Sequence, residues 1–194
     1  MIGYHATSKL NSADIETNGF RPLKIVSDHD HCLLQAALKR NNVSATISGS
    51  YTAWMNLRSV TFTADKRAAV EHILKGAASG QGASNIEKLL LYIHDDQSLV
   101  DSIASKLNQI KASEKVIYKI DLSNLGPTFT QCPLRTNIYY YRWNPTLAPE
   151  ACSGLPSGKI LAKYLIKYDG TVEVFSGLTS PKPKICRYEM KIVK

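Results

Sequence analysis

Nowhere does the chain reach the run of about eighteen apolar residues that a membrane-crossing helix needs, so no membrane span is expected. Its start lacks a basic segment leading into an apolar one, and no signal peptide is read there. Cysteine is sparse: Cys32, Cys132, Cys152 and Cys186 lie far apart with no CxxC spacing. A zinc site of the usual kind is therefore not expected, and disulfides are permitted without being required. The stretch DHDHC, Asp28 to Cys32, has metal-ligand chemistry but no second ligand pair elsewhere. It reads as a solvated loop, and no metal is expected. There is no internal repeat, and no block of basic residues of the kind that tracks a nucleic-acid backbone.

What is present suits one domain. The 194 residues are 44% hydrophobic and 21% charged, which are globular values and argue against disorder. A net charge of +8 favours an acidic partner or a phosphate-bearing ligand. Because the lysines and arginines are spread along the chain, nucleic acid is disfavoured as that partner.

The periodicities predict helices in the first two thirds and strands late. A strand is expected over residues 2–6. A short helix follows in SADIETNGF, with Ser12 as N-cap and Gly19 as terminator. Asp30 to Asn41 predicts a stronger helix with Leu33, Leu34, Ala37 and Leu38 on one side, and NNVSATISGS reads as a turn-rich loop. Arg58 to Asp65 alternates as a half-buried strand, with Val60, Phe62 and Ala64 on one face. Asp65 then caps a helix, and GAASGQGAS reads as a loop. NIEKLLLYIHDDQSLVDSIASKLNQI is one long helix or two separated near Asp95. KVIYKIDLS is a clear strand, and TNIYYYRW is aromatic and β-prone. KILAKYLIKYDGTVEVFSG reads as a hairpin turning at Asp169-Gly170, with a last strand over Ile185 to Val193. The fold class expected is α+β: one domain over 1–194 with mostly antiparallel, split β-sheets.

Three polar elements stand at strand ends far apart in sequence: His5-Ala6-Thr7, Thr61-Phe62-Thr63, and Glu173 just past the Asp169-Gly170 turn. Such a set suits cleavage of the bond between nicotinamide and ribose. The leaving group already carries positive charge, so a carboxylate near the developing sugar cation matters more than an acid. The flat nicotinamide needs an aromatic face, and ribose hydroxyls need hydrogen-bond partners.

These residues resemble a family. GYHATSKLNSADIETNGFRP is similar to the first motif of ADP-ribosyltransferase domains, especially the diphtheria toxin and poly(ADP-ribose) polymerase branch. SVTFTADKRAAVEHI resembles the second motif, GTVEVFSG the strand that carries the catalytic glutamate, and KVIYKIDLS a sheet strand between them. Thr61-Phe62-Thr63 also resembles the Ser-Thr-Ser strand of cholera-toxin-like members, although that branch has arginine where His5 stands. The patches cover about a quarter of the chain.

The resemblance implies a mono-ADP-ribosyltransferase that uses NAD+ as substrate, without a metal. His5 would bind the adenosine-side ribose, and the backbone around Ala6 and Thr7 would hold the carboxamide. Thr61 would take the first serine's place. Phe62 would stack on nicotinamide without the hydroxyl of the tyrosine usual there, with His72 or Tyr51 as a second wall. Glu173 would hold the nicotinamide-side ribose, with Glu189 as a competing candidate. Thr171, two residues earlier, departs from arginine-specific members. The acceptor implied is a protein, most naturally a host protein reached by a secreted or translocated toxin or effector acting in the host cytoplasm as a monomer. Lys75–Ser84 and Thr128–Pro156 are the loops expected to recognise it. Alternatives are NAD+ hydrolysis, a 2'-phosphotransferase on RNA, and a catalytically inactive binding module.

Overall fold

The structure is a computed structural model that describes residues 1–21, 26–49, 59–75, 81–125, 129–132, 135–142, 155–169 and 187–193. The chain folds as α+β. Its strands are β1 (Ile2–Ser8), β2 (Ser59–Thr63), β3 (Lys115–Asp121), β4 (Phe129–Cys132), β5 (Arg135–Arg142), β6 (Ile160–Asp169) and β7 (Arg187–Val193). Its main helices are α1 (Ser12–Asn18), α2 (Asp28–Arg40), α3 (Lys66–Lys75), α4 (Gln81–Leu90) and α5 (Gln97–Ala112).

All seven strands join one sheet in the order β4-β5-β2-β1-β3-β6-β7, and every neighbouring pair is antiparallel. The sheet is nonetheless thin at one place. β1 pairs with β3 from Ile2↔Asp121 to Ser8↔Lys115, whereas its pairing with β2 is confined to Tyr4↔Thr63. The split β-sheets expected from the sequence are instead one continuous sheet, whose weakest junction is this single residue pair.

Alternation along β1 decides what each face carries. Tyr4 and Ala6 turn to the side covered by α3, packing with Ala69, Val70, Ile73 and Leu74. The opposite face holds Val60, Phe62, Val116, Tyr118 and Ile120, covered by Ile15, Phe20 and Leu155. Gly3 belongs to this crowded side: a Cβ there would stand 2.2 Å from Leu122 Cδ1. A second core lies among α2, α4 and α5, built on Leu34, Leu38, Ile86, Leu90, Ile103 and Leu107. Within it, Glu87 and Lys111 form a buried ion pair between α4 and α5.

Several local expectations need correction. Asp28–Cys32 is the first turn of α2 rather than a loop. Ser27 caps it, with its side chain accepting from Asp30 N–H at 3.0 Å while the Asp30 carboxylate accepts from Ser27 N–H at 3.3 Å. Leu33 is exposed, and only Leu34, Ala37 and Leu38 face the core. Asn11, not Ser12, occupies the N-cap position of α1, and it makes no side-chain capping bond. NNVSATISGS contains a helical turn over 45–49, and Gln81 to Ser84 belong to α4 instead of a loop. The stretch Thr128–Pro156 likewise contains β4 and β5.

The expected hairpin turning at Asp169-Gly170 runs into residues 170–186, which lie outside the described residues. One edge of β6 is occupied by β3 over Ile160–Ile166, and the other by β7 over Lys163–Asp169. Among the described residues the strand that pairs antiparallel with β6 on that side is Arg187–Val193; Gly170 and Glu173 of the expected hairpin lie outside the described residues. Asp65 does cap α3, its carboxylate accepting from Arg67 N–H at 2.9 Å, and the long helical stretch divides near Asp95 as α4 and α5.

Gly19 brings the chain off α1 and onto the sheet. It takes φ 78° and ψ −175°, a region open essentially to glycine alone, and its N–H donates to the Ile15 carbonyl at 2.9 Å. A Cβ there would also stand 2.2 Å from the Leu155 carbonyl oxygen. Gly19→Ala is expected to destabilise the fold by about 1–3 kcal/mol, read as a lower urea midpoint. An unchanged midpoint would remove the strain argument.

Candidate active site on the β1–β2 split

Past Tyr4 and Thr63 the two central strands part, and the His5 side chain stands in the gap. Its Nδ1 donates to the Thr61 carbonyl at 2.9 Å, so the imidazole spans the split where ladder hydrogen bonds have ended. The ring lies 5.6 Å from the Phe62 ring and 5.3 Å from that of Phe20. Phe62 and Phe20 are each 1% exposed. At about 1.5–3 kcal/mol for each fully buried apolar side chain, this pair is a substantial share of the local packing energy.

Burial lowers the pKa of His5, because the surrounding side chains strip water from the charged form; the nearby His72 charge adds to this, and the Thr61 bond opposes it. With Nδ1 donating, the neutral ring keeps Nε2 as an acceptor. His5 is therefore suited to accept a hydroxyl from a ligand.

Of the other residues expected in a site, Thr7 is buried on the His5 face, and its hydroxyl accepts from Asn11 Nδ2 at 2.9 Å. Ala6 turns its side chain to the α3 face, so only its backbone is available on the split. Thr61 is exposed and contributes the carbonyl held by His5. His72 is exposed on α3, the helix that covers the other face. Glu173, Thr171 and Tyr51 lie outside the described residues. Glu189 lies on β7, its backbone opposite Lys167. Thus His5 and Phe62 are brought together, Ala6 and Thr7 flank them, and Glu173, the third member of the expected set, lies outside the described residues.

Sequence reasoning missed a second set beside them. Tyr118 stands directly opposite His5 in the β1–β3 register. Its hydroxyl donates to Glu16 Oε1 at 2.6 Å, and Lys163 Nζ donates to the same oxygen at 2.6 Å. The lysine, followed by the tyrosine, holds the Glu16 carboxyl below its usual range, while burial and then Glu16 push the Tyr118 hydroxyl up. Glu16 is 45% exposed, so its pairing with Lys163 is screened and worth little as stability. Its effect is geometric, tying α1 to β3 and β6. No signal within α1 alone pointed to it, because both partners lie more than a hundred residues away in sequence.

Among the described residues, no group of three or more His, Cys, Asp or Glu side chains is arranged to hold a metal ion. Nor is any helix among them long and apolar enough to cross a membrane. Cys32 is a free, exposed thiol. No family description, curated protein or solved structure matches the chain.

The His5 shift has a pH signature. Its folded pKa lies below the unfolded value of 6.5, so the unfolded chain binds the proton more readily. The stability this contributes is fully present above 6.5 and is lost as pH falls through the folded pKa. The Thr61 bond survives protonation, since Nδ1 donates in both forms; the cost is desolvation. Wild type should lose urea stability between about pH 7 and pH 5, and His5→Gln should lose less over that interval. Parallel pH profiles for the two proteins would rule out the buried imidazole as the cause.

Proposed function

We propose that this chain is a mono-ADP-ribosyltransferase that cleaves NAD+ at the nicotinamide–ribose bond and transfers ADP-ribose to a protein acceptor. The observation that carries the reading is the meeting of His5 and Phe62 at the junction between β1 and β2, from positions 57 residues apart. A neutral imidazole whose Nε2 is an acceptor suits a ribose hydroxyl. Next to it, the β1 edge beyond Tyr4 carries backbone groups outside the β1–β2 ladder among the described residues. Such an edge suits a carboxamide, which needs one donor and one acceptor.

In this reading nicotinamide departs neutral, taking the electron pair of the C–N bond with it. The sugar carbon becomes cation-like, and the acceptor's nucleophilic atom bonds to it and releases a proton. Glu173 is the carboxylate assigned to steady that cation and to hold the ribose 2'-hydroxyl. The net charge of +8 favours an acceptor with an acidic surface.

A second reading is an inactive binding module of the same kind. One observation favours it: Phe62 is 1% exposed and has no face open for stacking while Phe20 covers it.

Labelled NAD+ incubated with the protein and a cell lysate separates these readings. A labelled protein band supports transfer, and released nicotinamide without a band supports hydrolysis. Binding without either supports the inactive module. Glu173→Gln should lower turnover by about a hundredfold or more. Full activity in that variant would remove Glu173 from the reaction.

A further inference from the structure

His5 on β1, Phe62 on β2 and Tyr118 on β3 stand on adjacent strands and on one face of the sheet. The three rings make a box. Its occupant is Phe20, which meets each wall edge-on: His5 at 5.3 Å and 76°, Phe62 at 5.6 Å and 72°, Tyr118 at 5.4 Å and 83°. Edge-to-face packing of this kind is the favoured arrangement of aromatic rings, and it leaves Phe20 1% exposed.

Phe20 does not belong to the seven-stranded sheet. It follows α1, past the Gly19 bend, and is held by an isolated bridge to Leu155: Phe20 N–H donates to the Leu155 carbonyl at 2.7 Å and Leu155 N–H to the Phe20 carbonyl at 2.9 Å. The three walls, by contrast, lie within ladders several pairs long. Glu16, tied to Tyr118 and Lys163, anchors the helix on the other side of Gly19. Opening the Phe20–Leu155 bridge would therefore empty the box and leave the ladder hydrogen bonds of the sheet in place, at the cost of uncovering its inner apolar face.

We propose that the box is a binding subsite for a planar six-membered aromatic ring, electron-poor or cationic, and that Phe20 occupies it in the resting protein. A pyridinium ring matches a phenyl in size and shape, and its positive charge suits aromatic faces. The proposal rests on the transferase reading for the identity of that ring, nicotinamide. Ring binding then competes with Phe20, so the apparent affinity is reduced by the fraction of molecules with the box open.

Hydrogen exchange on the intact wild-type chain tests the first half without a substitution. The amides of Phe20 and Leu155 should exchange at least about tenfold faster than those of Val116 and Ile120, through a local opening. Exchange at the same rate as these β3 amides would overturn self-occupancy. For the second half, nicotinamide binding is measured by calorimetry on wild type, Phe20→Leu and Phe20→Ala. Phe20→Ala should bind at least about tenfold more tightly, with Phe20→Leu between, and adding His5→Ala should remove the gain. Phe20→Leu keeps most of the apolar burial and serves if Phe20→Ala fails to fold. If wild type releases nicotinamide from NAD+ but neither variant gains affinity, the self-occupied box is wrong and the transferase reading stands. If wild type neither binds nor cleaves NAD+ but the variants take up nicotinamide, the box stands and the transferase reading falls.

Discussion

The bond from His5 Nδ1 to the Thr61 carbonyl crosses the centre of this molecule, at the junction where β1 and β2 share only one ladder pair. β1 and β2 share one residue pair, and an antiparallel pair of strands held by so little has no reason to stay in register. The imidazole supplies a polar contact across the gap and, through its ring, an apolar contact to Phe62. Each side of the split is then firmly built, β1 on β3 over seven residue pairs and β2 on β5 over five. The result is a junction in the middle of the sheet where a histidine, strand backbone and packed aromatic rings meet.

Around that opening, side chains link elements distant in sequence. Glu16 fastens α1 to β3 and β6, and Gly19 then delivers Phe20 to the sheet face. Lys115, fully buried at the start of β3, donates to the carbonyls of Ile110, Lys111 and Ser113 at the end of α5. These carbonyls are among those a helix end leaves without partners, so one lysine satisfies several at once. Burial lowers its pKa to about 8. Through this junction the helical core of α2, α4 and α5 is joined to the strand that stands opposite His5.

Much of the fold is legible in the sequence where the pattern is local. Val60 and Phe62 alternate with Thr61 and Thr63, and the buried residues of β2 follow that alternation. Asp65 ahead of an alanine-rich stretch is a helix start, and its carboxylate caps α3. The failures are also physical. DHDHC by residue type alone reads as a metal site or a solvated loop, yet acidic side chains are favoured in a helix's first turn, and Asp30 closes a capping box with Ser27. Asp169-Gly170 is a strong local turn signal whose second residue lies outside the described residues; the partner of β6 among them, Arg187–Val193, is distant in sequence, and a local turn signal does not identify such a partner.

The candidate site divides in the same way. The sequence alone determined that His5 and Phe62 would stand on strands as neighbours of hydroxyl residues, since a period of two and the residue types are local properties. It determined the α+β class and the concentration of helices before the late strands for the same reason. Only the tertiary structure decided that these two side chains meet, that Tyr118 and Glu16 join them, and that Phe20 fills the space between the rings. Those are contacts between segments separated by up to about a hundred residues. They depend on strand order and on the direction in which Gly19 turns the chain, and no window of sequence contains both partners.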